Sequence, residues 1–206
     1  MINYKIDSNI KIKKVEDLID LPNIITVNKF DESSAKTFRD DLQKAMNLNK
    51  KYIPIVVDSY GGQVYALLSM VQALKNAQEK GFVVPTISTG KSMSCGSLLF
   101  AMGTDNYRYI DKYSTLMIHE VSSGCQGKVE EIKADVNEAA RLNQLVFELM
   151  AESCGKTKNY FIDLIHEKNH ADWYLDANEC VRHNLANHIG CPKFNISVDV
   201  NITFND

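Results

Sequence analysis

The sequence predicts an α/β fold in which the strands of the sheet run largely parallel. Three observations predict it: three strand-helix units follow one another, their strand runs are largely apolar, and no linker divides the chain. The length of 206 residues, with 45% hydrophobic and 24% charged residues, suits one globular domain with a substantial core. We therefore predict a single domain over residues 1–206.

Each of the three units begins with a short strand run and continues into a segment with helical periodicity. The strand runs are IITV (24–27), IPIVVD (53–58) and VVPTIST (83–89). Asp31 or Ser33 can cap the first helix. Gly90 is predicted to end the third strand, and a short apolar helix is predicted from about Ser94 to Met102.

The second half of the chain contains two further strand runs and one long helical segment. The strand runs are YRYI (107–110) and TLMIHE (115–120), and the helix is predicted from Val129 to about Ser153. The far end of this helix is apolar on more than one side, which favours a partner subunit as the second covering surface.

The two ends of the chain differ from the middle. Residues 1–22 show weak periodicity and are predicted to form an amino-terminal arm. Residues 191–206 include the run FNISVDVNITF, whose strict alternation predicts a half-buried strand extension.

Composition and charge exclude several classes of function. The net charge of −3 and the pI near 6.0 provide no broad basic surface, so nucleic acid is not an expected partner. No run approaches the length of a membrane span, and the start of the chain lacks a signal peptide's apolar segment, so a cytoplasmic protein is expected. The five cysteines form no CxxC pair, and reduced thiols are expected.

Ser94 lies in GKSMSCGS (90–97), where an apolar strand meets an apolar helix. Free backbone N–H groups and the helix dipole favour negative charge at such a position, which suits a nucleophile. An ordinary N-cap serine in a packed turn fits the same segment.

The segment DSYGGQV (58–64) is a second candidate, because paired glycines let a backbone approach a substrate closely. Gly62 can supply an oxyanion donor, and Gly61, Gly62, Gln63 and Val64 can bind an extended peptide by strand addition. A simple tight turn is the alternative.

His119 ends the strand run LMIH and can act as the base that a hydroxyl nucleophile requires, although a core histidine fits as well. A carboxylate must then orient the imidazole. Asp172 in HADWYL is one candidate among many acids, and spacing alone does not select it.

Together these segments resemble the proteolytic subunit of Clp protease, in the crotonase-like superfamily, from roughly Ile24 to Gly190. The family's G-x-x-x-S-x-G setting is matched around Ser94, and its M-I-H segment ends here at His119. Its catalytic aspartate precedes an aromatic and an aliphatic residue, as Asp172 does in DWYL. The resemblance implies a Ser94-His119-Asp172 triad and no metal or organic cofactor in the cleavage.

The resemblance also implies the architecture and the assembly. The fold would be a spiral of strand-strand-helix units with a protruding handle helix, and residues from about 121 to 153 would form the handle. The N–H groups of Gly62 and Cys95 would form the oxyanion hole. Self-association into stacked heptameric rings, together a tetradecamer, would enclose polypeptide substrates, and an ATP-dependent unfoldase is an implied partner.

Three departures mark a divergent member of the family. Tyr60 replaces the proline of the usual S-P-G-G turn, and Cys95 replaces the methionine after the nucleophile. Glu120 and Val121 replace the glutamine and proline that usually follow the histidine. These changes affect the shape of the cleft.

Three other functions are consistent with parts of the sequence. HEKNH (166–170) matches the zincin pattern, which requires both histidines on one helix. Crotonase-like relatives use paired backbone donors on coenzyme A thioesters. The third possibility is a catalytically impaired scaffold subunit, which would have the same fold but would not hydrolyse peptides.

Overall fold

The computed structural model describes residues 23–48 and 51–193. It contains a mixed α/β fold with a mainly parallel sheet, which confirms the predicted fold class. The three strand-helix units are β1 (Ile25–Val27), α1 (Glu32–Asn47), β2 (Ile55–Ser59), α2 (Val64–Glu79), β3 (Thr86–Met93) and α3 (Cys95–Ala101). The whole predicted amino-terminal arm (1–22) and residues 194–206 of the predicted carboxy-terminal strand extension lie outside the described residues.

The first two helices pack against the sheet through the apolar faces that the sequence shows. The side chain of Asp31 caps α1 by accepting a hydrogen bond of 2.8 Å from the Ser34 N–H, while Ser33 does not act as the cap. In α2 the buried positions recur at helical spacing: Leu67, Met70, Val71 and Leu74.

The third strand is longer than predicted, and the prediction that Gly90 ends it is wrong. Strand β3 continues through Gly90, which has a φ of +79°. Before this glycine, β3 lies between β2 and β4 (Arg108–Ile110), and after it Lys91–Met93 pair with β5 (Thr115–Ile118). At the glycine β5 replaces β4 as the neighbour on one side, while β2 remains on the other through the Ser59–Ser92 pair, so the extended backbone stays paired.

Helix α4 (Val129–Ser153) follows β5, as predicted from the sequence. Its first half projects from the body of the molecule, with Val129 67% exposed and Val136 55% exposed. Its buried side chains lie in the second half: Leu142, Phe147, Met150 and Ala151.

The remaining described elements complete the fold around the site. They are α5 (Tyr160–Glu167), β6 (Trp173–Leu175), α6 (Ala177–Arg182) and β7 (His188–Ile189). Strand β6 is antiparallel to β5, and β7 is parallel to β4. Within residues 23–48 and 51–193, no helix is long and apolar enough to cross a bilayer.

Candidate active site

Ser94 lies at the junction of β3 and α3 in a backbone conformation that is rare for any residue except glycine, with φ +55° and ψ −119°. It occupies the N-cap position of α3, yet its side chain caps no N–H group of the helix. Its Oγ lies 2.8 Å from Nε2 of His119. The hydroxyl is therefore placed for proton transfer to an imidazole, and the alternative role of an ordinary helix cap does not apply.

His119 comes directly after β5, and the sheet brings it to Ser94. Strand β5 pairs with the last residues of β3, in the register Met93 to Met117. The N–H of Ser94 donates a hydrogen bond of 2.8 Å to the carbonyl oxygen of Met117. Parallel pairing thus fixes the backbones of nucleophile and base relative to each other.

Strand β6 places Asp172 next to Nδ1, the second nitrogen of the His119 imidazole. The antiparallel register pairs Ile118 with Trp173, so the residues just beyond this pair, His119 and Asp172, lie opposite each other. The distance from His119 Nδ1 to Asp172 Oδ1 is 3.7 Å, which is an ion-pair distance and longer than a hydrogen bond. The Asp172 side chain is 50% exposed.

Of the two glycines before α2, Gly61 lies against the nucleophile and Gly62 against Phe30, which follows β1. A Cβ on Gly61 would be 2.8 Å from Cβ of Ser94, and a Cβ on Gly62 would overlap the carbonyl oxygen of Phe30. The N–H groups of Gly62 and Cys95 have no hydrogen-bond partner among the described residues. Two free donors therefore flank the nucleophile, which is the arrangement that an oxyanion hole requires.

Cys95 joins the two segments that carry these donors. Its Sγ donates to the carbonyl oxygen of Gly62 across 3.2 Å. Burial raises the pKa of the Cys95 thiol, so the group stays protonated and remains a donor. The cysteine thus contributes a contact between α3 and the glycine turn.

A cavity of about 170 Å³ opens beside Ser94 and His119. Its walls are largely apolar and come from α2, α3 and the second half of α4: Val64, Leu67, Leu98, Val146, Phe147 and Met150. Of the four residues predicted to bind substrate, Gly62 and Val64 line this cavity. The N–H of Gln63 is bonded to the carbonyl oxygen of Phe30 at 2.8 Å, and that of Gly61 to Oγ of Ser59 at 3.1 Å.

The structure also brings together three possible metal ligands whose proximity the sequence did not predict. Glu120, next to His119, meets His166 and His170 at the surface. Helix α5 ends at Glu167, so HEKNH is not helical throughout and the zincin geometry is absent from this segment. The unusual Glu120 was visible as a departure from the family pattern, but nothing in the sequence indicated its neighbours.

Comparison with known protein families identifies the family to which the chain belongs. The model of the family described as Clp protease matches residues 7–193, well over half of the chain. The resemblance stated from the sequence is confirmed at the level of the family.

Proposed function

The chain belongs to the Clp protease family, and on this premise we propose that it is a serine endopeptidase subunit with Ser94 as the nucleophile. Membership in the family implies a serine-type peptidase and ring-forming subunits in general. The observation that supports the specific assignment is the 2.8 Å contact between Ser94 Oγ and His119 Nε2 beside two free backbone donors.

The proposed reaction begins when His119 Nε2 removes the proton from Ser94 Oγ as the oxygen attacks the peptide carbonyl. The N–H groups of Gly62 and Cys95 stabilise the negative oxygen of the tetrahedral intermediate, and each such donor contributes about 3 kcal/mol. His119 then donates its proton to the leaving amine, and the carbonyl carbon remains bound to Ser94 as an ester. Water then attacks the ester carbonyl as His119 takes its proton, the bond to Ser94 Oγ breaks, and His119 returns the proton to that oxygen as the acid product leaves.

Asp172 is the proposed orienting residue for His119. Its carboxylate faces Nδ1, so it favours the tautomer in which Nε2 is free to accept the proton of Ser94. Closing the 3.7 Å separation to hydrogen-bond distance requires a movement of about 1 Å.

The substrate is proposed to be an unfolded or short polypeptide that reaches the site in extended form. The apolar cavity beside Ser94 suits an apolar side chain next to the scissile bond. The proposal also includes stacked rings of seven subunits each, with the handle at the contact between rings and an ATP-dependent unfoldase as partner. The exposed first half of α4 supports a handle that a second copy covers.

Replacement of the nucleophile tests the proposal. Ser94→Ala should abolish peptide hydrolysis and covalent labelling by a fluorophosphonate, while native mass shows the same subunit count as the parent protein. Ser122→Ala is a matched control, because Ser122 lines the same cavity but forms no hydrogen bond with His119. Hydrolysis by Ser94→Ala at the parent rate would contradict the assignment.

A catalytically impaired scaffold subunit is the second candidate, and one observation favours it. The gap between Asp172 and His119 leaves the imidazole without a hydrogen-bonded carboxylate. Fluorophosphonate labelling of the assembled parent protein separates the two functions, because only an active Ser94 forms the adduct. The peptidase proposal is favoured because the nucleophile and the base are already in contact.

A further inference from the structure

Glu120, His166 and His170 form a compact cluster at the surface, outside the triad. Nδ1 of His170 lies 2.8 Å from Oε2 of Glu120, and Nε2 of His166 lies 3.8 Å from Oε1 of the same carboxylate. One ligand atom from each residue lies within 4.8 Å of the others. We propose that these three side chains bind a divalent transition-metal ion, with zinc as the ion that fits them.

The donor set is one that zinc accepts. Two imidazole nitrogens and one carboxylate oxygen, with a fourth position open to water, make a recognised four-coordinate arrangement. Zinc bonds of 2.0–2.2 Å place tetrahedral donors roughly 3.4 Å apart. The distances of 2.8 Å and 3.8 Å lie on either side of that value, so small side-chain rotations suffice.

The backbone around His170 brings the two imidazoles together. Helix α5 ends at Glu167, and Asn169 and His170 both have a φ of +58°. This turn folds the His170 ring back onto the His166 ring, with centroids 4.5 Å apart. In the zincin pattern a continuous helix brings the two histidines together on one face, whereas here the turn does so.

A second contact holds the carboxylate in place. Asn143 on α4 donates from Nδ2 to Oε1 of Glu120 at 3.3 Å, and its Oδ1 accepts from the N–H of Val121 at 2.8 Å. Carboxylates that ligate metals are commonly fixed by such hydrogen bonds. The nearest lysine of this loop, Lys168, is directed elsewhere, with its Nζ over the ring of Trp173 at 4.9 Å.

Metal binding would replace the proton between His170 and Glu120. Both histidines bind as neutral imidazoles, so the proton of His170 Nδ1 passes to solvent or to its own Nε2. The metal would then join the strand end that carries His119 to the loop that carries Asp172. This consequence rests on the proposed function, whereas metal binding itself does not.

Binding is measured on full-length protein with the Ser94→Ala substitution, so that the result does not depend on peptidase activity. Cys125 and Cys191 are exposed thiols that can also bind zinc, so both are replaced by serine in every variant. Equilibrium dialysis against zinc, followed by metal analysis, gives the affinity and the number of ions per chain. Cobalt gives an independent readout through its visible absorption.

The expected result is one zinc ion per chain in this background. His166→Gln and His170→Gln should each weaken zinc binding at least about 100-fold, and Asn143→Ala should weaken it about 10-fold. His188→Gln is the control: it removes an exposed histidine whose Nε2 bonds the Asn106 carbonyl, and it should leave the affinity unchanged.

Two outcomes would overturn the proposal. One is that the background protein retains no zinc and shows no cobalt absorption. The other is that His166→Gln and His170→Gln retain zinc with unchanged affinity. If zinc binds as expected but Ser94 proves not to be the nucleophile, the metal site stands and only the proposed function fails.

Discussion

A methyl group added at Gly61 would press directly on the proposed nucleophile. Gly61 has a φ of +103°, and a Cβ built there lies 2.8 Å from Cβ of Ser94 and 3.2 Å from its Oγ. Carbon atoms in good contact are about 3.5–4.0 Å apart, so Gly61→Ala must displace the Ser94 side chain by nearly 1 Å. We expect that displacement to break the 2.8 Å contact with His119.

The loss of activity in Gly61→Ala should be separable from its loss of stability by comparison with a second glycine variant. An error of about 1 Å in a reacting group can lower a rate about 100-fold, so kcat/KM of Gly61→Ala should fall by about that factor. The positive φ costs a further 1–3 kcal/mol of stability, because an alanine rarely adopts it. Gly81→Ala has the second effect alone, since Gly81 has a φ of +88° and no atom within 4 Å of the added Cβ.

The assay compares the two variants on one short fluorogenic peptide, with urea unfolding as the measure of stability. Gly61→Ala should lose more stability than Gly81→Ala by roughly 1–3 kcal/mol, because the added Cβ also crowds Ser94, and Gly81→Ala should hydrolyse the peptide at nearly the parent rate. Fluorophosphonate labelling of Gly61→Ala should slow in parallel with hydrolysis. If the two variants hydrolyse the peptide equally fast, the close approach of Gly61 to Ser94 has no catalytic role.

Three further results are expected. Val146→Phe should narrow the cavity and lower kcat/KM about 10-fold for peptides with leucine before the scissile bond, relative to alanine peptides; an unchanged ratio would contradict this use of the cavity. Arg108→Met should lower the free energy of unfolding by roughly 3 kcal/mol, because the buried guanidinium donates hydrogen bonds to the carbonyl oxygens of Gly103, Ser153 and Asn184. Arg182 is exposed, so the control Arg182→Met should change the free energy of unfolding by less than about 0.5 kcal/mol. Burial lowers the pKa of His183, so the folded state loses stability as the pH falls below 6.5, where the unfolded chain binds the proton more readily. His183→Gln should reduce the difference in the free energy of unfolding between pH 7.5 and pH 5.5, measured by urea unfolding. The same difference in the variant and the parent protein would contradict this.

Local patterns predicted most of the secondary structure because burial in this fold follows the apolar periodicity closely. The strand runs before α1, α2 and α3 and the long helix α4 are all present. The prediction that Gly90 ends β3 is wrong because a glycine ends a strand only where the backbone beyond it finds no partner. Here β5 pairs with the residues after Gly90, so the strand continues. That pairing joins residues more than twenty positions apart, which no local pattern reports.

The candidate site was predictable in its residue types and not in its geometry. Family motifs selected Ser94, His119 and Asp172, yet the opposition of Asp172 to His119 follows from the register of β5 and β6. The meeting of Glu120 with His170 depends on two left-handed residues after α5, for which the sequence carries no glycine signal.

The backbone fixes Ser94 and His119 more strongly than it fixes Asp172. The contact between His119 and Asp172 is therefore the part of the proposed triad that a second binding event could change most easily. Ser94 and His119 lie at the ends of β3 and β5, two paired strands bounded by buried side chains. Asp172 directly precedes the short strand β6, which among the described residues pairs only with β5. We therefore expect a contact that fixes the loop before Asp172 to change the His119–Asp172 distance while the Ser94–His119 pair stays intact. The proposed metal binding at His170, two positions earlier, would act on the proposed orienting residue Asp172 without touching Ser94.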